Sequence, residues 1–228
     1  MGGKGRLLMA TAASAFTFDE ATHAYSEDGM VRLSVTQVLK AEGFFAWLDK
    51  VPTHTLERKR RLGILTHRAT QLWDEGEDLE EYEIPAEVRE DYLQGYFNFC
   101  DDCSFAPELI EHRQIADVYG MRYGMTLDRR GLIHGKRHLV EVKCGASESP
   151  VWGVQLAGYD LGLVSIQERQ RDPRVALQLG PQFNRGYKLH PYDDPADYQI
   201  WMNSLANVIW KQNKGLYEFE AVPERLAA

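Results

Sequence analysis

Cysteine is scarce in this chain of 228 residues, which contains only Cys100, Cys103 and Cys144. Such an odd and sparse set argues against a disulfide framework and indicates a reducing compartment. The spacing of Cys100 and Cys103 is that of half a zinc knuckle, but no second pair follows and the two lie within a helical pattern. Two partly buried thiols are therefore the favoured interpretation, with structural zinc as the alternative.

Long apolar runs are also lacking, and none approaches the stretch of about 20 residues that crosses a bilayer. We therefore expect no membrane partner and a cytoplasmic location. Basic residues are outnumbered, with 26 Lys and Arg against 34 Asp and Glu, so the net charge is −8. This balance disfavours nucleic-acid binding over the whole surface, because phosphate contacts require Lys and Arg. The basic run at residues 58–61 would suit a local basic groove or a solvated helix face equally well.

Interleaved strand and helix patterns predict an α/β fold with a central mixed β-sheet flanked by helices. Residues 1–33 are expected to form a flexible start and a small accessory β-hairpin, and residues 34–228 a single domain. Helices are predicted over residues 34–43, 56–73, 85–103, 151–170 and 193–211. Strands are predicted over residues 109–118, 122–127, 138–143, 175–179 and 186–189.

Two neighbouring strand segments carry the most informative residues. Asp128 follows the segment Tyr-Gly-Met-Thr-Leu, and Glu141 and Lys143 belong to His-Leu-Val-Glu-Val-Lys. Residues two apart on a strand share a face, so Glu141 and Lys143 are predicted side by side. Carboxylates from two strands beside an ammonium suit metal-assisted attack of water on a phosphate. The alternative is a cross-strand salt bridge on a solvated face, since Glu-x-Lys is a common tripeptide.

Two predicted helices add polar side chains. Gln155 and Tyr159 share one helical face just after the Glu-x-Lys strand, where they could hold a phosphate or orient Lys143. An amphipathic helix with its aromatic residues in the core is the alternative. His67 follows Gly63 by one turn and could offer an imidazole nitrogen to a divalent metal, although a lone helical histidine is usually a packed or surface residue.

Together these residues resemble the PD-(D/E)XK nuclease superfamily, and within it the RecB-type exonuclease branch. The motifs of that branch occur here in order as Gly63…His67, Gly124…Asp128, Glu141…Lys143 and Gln155…Tyr159. The segment Ser-Val-Thr at residues 34–36 looks like the opening of phage-encoded and mitochondrial genome-maintenance exonucleases of the same branch. The resemblance spans Ser34 to Tyr159 and implies a restriction-endonuclease-like core in a nuclease domain over residues 34–228.

The resemblance implies a metal-dependent DNA exonuclease that acts on DNA ends or single strands in phage-type recombination or DNA turnover. Its location would then be the host cytoplasm. Asp128, Glu141 and Lys143 would be the catalytic residues. One or two Mg²⁺ or Mn²⁺ ions would be held by His67, Asp128, Glu141 and the Val142 carbonyl.

Substrate contacts or support follow from the resemblance for five further residues: Gln155, Tyr159, Ser34, Thr36 and Glu111. Capping of a helix explains Ser34 and Thr36 at least as well as contact with a terminal phosphate. For Glu111, a surface salt bridge is the alternative to a supporting role.

Several other outcomes stay open. RecB-type relatives with an iron–sulfur cluster carry three cysteines after the core, and no cysteine follows Tyr159, so we expect no cluster. A structure-specific endonuclease of the same fold is one alternative function. A non-catalytic DNA-binding or assembly protein that retains the nuclease fold is another. A homo-oligomer, including a toroid that threads DNA, or a recombination partner protein would be compatible with each.

Overall fold

A computed structural model describes residues 16–20, 22–145, 147–163 and 171–218. Over these residues the protein has a five-stranded mixed β-sheet flanked by helices and a separate three-stranded antiparallel sheet at its N-terminal end. This confirms the predicted fold class. The small sheet contains β1 (Phe16–Asp19), β2 (Ala24–Glu27) and β3 (Met30–Arg32), one strand more than a hairpin. The flexible start predicted for residues 1–15 lies outside the described residues.

The central sheet has its strands in sequence order. They are β4 (Ala106–Val118), β5 (Met121–Ile133), β6 (Lys136–Lys143), β7 (Arg174–Leu179) and β8 (Tyr187–Tyr192). Neighbours are antiparallel except β6 and β7, which run parallel. A parallel pair needs a long crossover connection, and helix α5 (Val151–Leu163) lies in the chain between β6 and β7.

Two tight turns link β4, β5 and β6. The turns Tyr119–Gly120 and His134–Gly135 have two residues each, with φ angles of 54° and 78° in the first and 48° and 76° in the second. Positive φ at both positions is the signature of a type I′ turn, whose twist matches that of the flanking strands. These turns fix the register of three consecutive strands.

β5 is longer than the sequence predicted, and Asp128 lies inside it instead of at its end. The predicted strand stopped at Leu127 because two arginines follow closely. The strand continues to Ile133 since Arg129 is fully buried and its charge is met by carboxylates. The prediction of Asp128 at a strand end was therefore wrong.

Six α-helices are found among the described residues: α1 (Val35–Ala41), α2 (Thr53–Asp74), α3 (Ala86–Val88), α4 (Gln94–Cys103), α5 and α6 (Ala196–Asn213). The helix predicted over residues 85–103 is interrupted by a π-helical turn at Arg89–Leu93. Short 3₁₀ helices occupy Ala46–Lys50 and Leu79–Glu81. The predicted continuation of α5 over residues 164–170 is outside the described part of the chain.

The sheet separates two hydrophobic layers. α1, α5 and α6 pack on one face together with side chains of β4 and β5, whereas α4 packs on the other face against β6, β7 and β8. Side chains of β6 alternate between them: Leu139 faces the α5 layer, and Val140 and Val142 face the α4 layer. Glu141 and Lys143 therefore point to the α5 side.

The small N-terminal sheet is packed onto the strand that carries Asp128. Tyr25 is fully buried, and a Cβ atom at Gly124 would lie 2.2 Å from its ring. The Gly124 amide also donates a hydrogen bond of 2.9 Å to the Leu33 carbonyl. Glycine is thus required at position 124 for close packing.

Searching the described residues yields no helix whose length and hydropathy would let it traverse a bilayer.

Candidate active site

Three carboxylates form one row across β4, β5 and β6. The residue pairs on either side place Glu111 of β4 opposite Asp128 of β5. The last pair of residues in register between β5 and β6 is Arg129 with Val140. The next residue of each strand is Asp128 or Glu141, so these two lie opposite each other. Like charges directly opposite each other destabilise a sheet. The row, called here the acidic row, therefore needs positive charge nearby.

The backbone departs from a regular ladder at the acidic row. Glu111 has a φ of 45°, in the left-handed region, which costs a non-glycine residue about 1–3 kcal/mol. Beyond Val140 the pairing of β5 with β6 ends, and the Asp128 Oδ2 accepts a hydrogen bond of 2.7 Å from the Val142 amide. A strained residue and an interrupted ladder at a group of acids are typical of functional sites.

His67 projects from α2 onto the acidic row. Its Nδ1 lies 3.4 Å from the Asp128 Oδ1 and 3.8 Å from the Glu111 Oε1. One ligand atom from each of these three residues lies within 4.8 Å of the others, a spacing at which they could hold a metal ion. Glu111, for which the sequence favoured neither a supporting role nor a surface salt bridge, is therefore a candidate metal ligand.

Glu141 lies beside this triad and has one oxygen to spare. Its Oε1 accepts hydrogen bonds from the Lys143 Nζ at 3.1 Å and the Gln155 Nε2 at 2.9 Å. Its Oε2 is buried and finds no hydrogen-bond partner among the described residues. A buried carboxylate oxygen without a partner is costly, and a cation at that place would remove the cost. The donor set thus fits a metal ion.

Gln155 of α5 connects the predicted catalytic residues. Its Oε1 accepts a hydrogen bond of 3.0 Å from Lys143, while its Nε2 donates to Glu141 and, at 2.9 Å, to the Tyr159 hydroxyl. The Thr36 hydroxyl lies 3.5 Å from the same nitrogen. All five side chains are buried. The structure therefore places Gln155 where it fixes the direction of the Lys143 ammonium.

Ser34 and Val142 have structural contacts of their own. The Ser34 hydroxyl accepts a hydrogen bond of 3.2 Å from the Gln37 amide, and the Gln37 Oε1 accepts one of 2.8 Å from the Ser34 amide. This capping box starts α1, and Ser34 is fully buried. Contact of Ser34 with a phosphate stays a prediction, as does ligation of a metal by the Val142 carbonyl.

Arg129 belongs to the site although the sequence pattern did not indicate it. Its guanidinium is fully buried, forms ion pairs with Asp74 and Glu111, and donates to the Asp128 carbonyl at 2.6 Å. It also donates to the Thr70 hydroxyl at 3.2 Å. A signal was present in the sequence. Thr70 and Asp74 follow His67 at helical spacing and so share its face of α2.

Burial and charge shift the protonation of the site. Burial and the neighbouring Asp128 raise the pKa of Glu141. The positive charge of Lys143 lowers it, but by less than the other two effects raise it. Burial opposes a charged His67, but Asp128 and Glu111 outweigh it and raise the pKa of His67 to about 9. Burial also opposes ionisation of Asp128, yet His67 and Lys143 lower its pKa. Protons on Glu141 and His67 thus offset the negative charge of the acidic row. A divalent cation bound there would displace these protons and offset the same charge.

The three cysteines are free thiols, and Cys100 and Cys103 lie within α4. Burial raises the pKa of Cys100 and of Cys144 to about 12. The one group of possible metal ligands found among the described residues contains no cysteine.

Comparison with known proteins adds little. No protein-family model matches this chain, and no curated protein matches it. The solved structures that match include one described as "Crystal structure of SSO0001", which is 16% identical over 69% of this chain and 84% of that chain, with a TM-score of 0.33. A likeness this weak carries no argument about fold or function.

Proposed function

We propose that this protein is a divalent-metal-dependent deoxyribonuclease of the PD-(D/E)XK type, acting as an exonuclease on DNA ends or single strands. The observation that supports it best is the acidic row beside Lys143. Glu111, Asp128 and Glu141 come from three adjacent strands, and the ammonium of Lys143 is 3.1 Å from the last of them. This arrangement suits phosphodiester hydrolysis, in which negative charge builds up on the phosphate.

The charge of the site supports a divalent cofactor. When all are ionised, the carboxylates of the acidic row and Asp74 make four anions, and Arg129 and Lys143 are the permanent cations that contact them among the described residues. Asp128 and Glu141 would hold the ion, joined by His67 and Glu111. Oxygen ligands with a single imidazole favour Mg²⁺ or Mn²⁺.

A bound divalent ion would supply neutralisation of the phosphate charge and a lower pKa for the attacking water. The chain's own residues supply position. Glu141 and Gln155 both accept hydrogen bonds from the Lys143 ammonium, which would hold it ready to donate to the attacking water or to a phosphate oxygen. The Arg129 guanidinium donates a hydrogen bond to the Asp128 carbonyl and so keeps the backbone of Asp128 in place.

The direct test is digestion of end-labelled single-stranded and duplex oligonucleotides and of covalently closed circles, each with EDTA, Mg²⁺ or Mn²⁺. We expect metal-dependent release of nucleotides from linear DNA, no reaction in EDTA and intact circles. Nicking of circles would assign endonuclease activity instead. Retention of all substrates despite DNA binding would assign a non-catalytic role.

Replacement of Lys143 gives the sharpest variant. Lys143→Met should reduce the rate of hydrolysis by about 10²- to 10⁴-fold, because a positioned proton donor or charge stabiliser is lost. Mn²⁺ binding, measured by calorimetry, should persist since the carboxylates remain. Lys211→Met is the matched control, because Lys211 pairs with Glu42 on the surface of α6 and should leave the rate unchanged. Equal rates in both variants would contradict the proposal.

A further inference from the structure

A groove of about 520 Å³ lies between the loop that follows β6 and the part of the chain that contains α2 and the segment before it. Gly145 lines this groove and is two residues beyond Lys143. Two residues of extended chain span at most about 7 Å, so the groove begins close to the end of β6 that carries Lys143. Its size falls within the range of ordinary small-molecule sites.

The loop side of the groove is held by several hydrogen bonds. The Gly145 carbonyl accepts one of 2.6 Å from the Gln178 side chain, and the Ser149 carbonyl accepts one of 2.9 Å from the Tyr192 hydroxyl. His190 lies 2.8 Å from both Gln178 and Glu148. Side chains of β7 and β8 thus support this wall of the groove.

Aromatic side chains line the groove. Trp47, in the 3₁₀ helix Ala46–Lys50, has 55% of its surface exposed, and Phe45 precedes it by two residues. Trp152 forms part of the opposite wall and is itself buried, with its ring edge-on to His190. A large exposed indole in a concave site offers a flat π-surface, on which a nucleobase of any type can stack.

The charge of the groove also fits a nucleotide. Lys59 and Arg60 line it from α2. The Arg60 Nε is buried and finds no hydrogen-bond partner in the part of the chain that the structure describes. Glu148 is the acid that lines the groove, and it faces His190. Two cations beside an aromatic surface are what a single strand of DNA requires.

We propose that this groove binds an unpaired nucleotide of a DNA strand, with its base stacked on Trp47 and its phosphate held by Lys59 and Arg60. The adjoining phosphate of the strand then lies at Lys143. The inference rests on the proposed function and deepens it by naming unpaired strands as the substrate. A base within a duplex is stacked on its neighbours, so it must leave the duplex before it can stack on Trp47.

The test measures binding without cleavage. The affinity of a fluorescently labelled single-stranded oligonucleotide would be determined by anisotropy in Mg²⁺, in a Lys143→Met background. Adding Trp47→Ala should weaken binding by about 5- to 150-fold, the effect of losing one stacked base. Trp47→Phe should restore most of it. Trp210→Ala is the matched control, since Trp210 is 53% exposed and does not line the groove.

An oligonucleotide with abasic sites separates stacking from a general loss of fit. The abasic oligonucleotide should bind the protein that retains Trp47 as weakly as the normal oligonucleotide binds the Trp47→Ala variant. The Trp47→Ala variant should bind the abasic and the normal oligonucleotide with the same affinity. Lys59→Gln should lower the slope of log affinity against log salt by about one. Equal affinity with and without Trp47 would overturn the proposal.

Two further outcomes keep this inference separate from the proposed function. Binding that depends on Trp47 in a protein that never hydrolyses DNA would retain the groove and reject the nuclease. Hydrolysis of duplex ends by a protein that does not bind single strands would retain the nuclease and reject the groove as a binding site for unpaired nucleotides. Sedimentation velocity on the same variants identifies a third case, in which Trp47 is needed for self-association and not for DNA binding. That result would assign the groove to a second copy of this chain and overturn the proposal.

Discussion

Arg129 illustrates how a single side chain can hold a group of buried acids together. It is fully buried, and its guanidinium contacts the carboxylates of Asp74 and Glu111 as well as the backbone of Asp128. Burial of an ion pair contributes little net stability, but removing one partner leaves the other charged and without compensation. The stability of the acidic row therefore depends on Arg129.

We expect Arg129→Met to lower the free energy of unfolding by about 3–5 kcal/mol, because it leaves carboxylates buried without a partner. Urea denaturation in EDTA measures this loss. The control is Arg137→Met, whose ion pair with Glu108 is exposed, and it should cost less than about 1 kcal/mol. Similar losses in the two variants would show that Arg129 has no special place in the site.

For single residues, the sequence correctly predicted that two side chains of the candidate site share one face of a strand. The period of a strand placed Glu141 and Lys143 on one face, and the structure shows them in contact with each other and with Gln155. The sequence could not predict that Glu111 and Asp128 lie opposite each other, because this depends on the register between the strands and on a positive φ at Glu111. Helical spacing places Thr70 and Asp74 on the same face of α2 as His67, but only the fold shows that Arg129 is the residue they meet.

The secondary-structure elements show where local signals suffice. The capping box at Ser34 is a short-range pattern, and α1 begins where the sequence predicted. The C-terminal end of β5 was misjudged because charged residues in the middle of a strand resemble its end when the strand is considered alone. The signal that was overlooked lies in the turns, where a glycine follows Tyr119 and His134.

Variants at Ser34 distinguish capping of α1 from contact with DNA. Ser34→Ala should lower the free energy of unfolding by about 1 kcal/mol, whereas Ser34→Gly should cost only a few tenths, because glycine is tolerated at the N-cap. Denaturation with urea provides both values. The rate of hydrolysis at saturating DNA should stay within about twofold in either variant if capping is the main role. A large loss of rate with unchanged stability would favour the phosphate contact.

For the whole molecule, the acidic row links stability to pH and to metal. The pKa of His67 is about 9 in the folded protein against an ordinary value of 6.5, and that of Glu141 is also raised. Raised values mean that the folded state binds more protons than the unfolded state. The stabilisation is complete at low pH and is lost as the pH rises through the folded-state values.

The melting temperature in EDTA should therefore fall between about pH 6 and about pH 9, by roughly 3 °C or more. Saturating Mn²⁺ should raise the melting temperature and flatten this dependence, because the ion takes the place of the protons. Differential scanning fluorimetry at several pH values measures both effects, with His67→Gln as the control that reduces the slope. A melting temperature in EDTA that increased with pH would contradict this linkage.

The two-residue turns between β4, β5 and β6 constrain how the gene for this protein can change in length. Each turn sets the opposition of one pair of acids, Glu111 with Asp128 and Asp128 with Glu141. Inserting or deleting a single codon between residues 111 and 141 would displace one acid from its neighbour and turn side chains to the opposite face. Length variation compatible with activity should therefore be confined to segments outside this pair of hairpins, whatever amino acids are substituted within them.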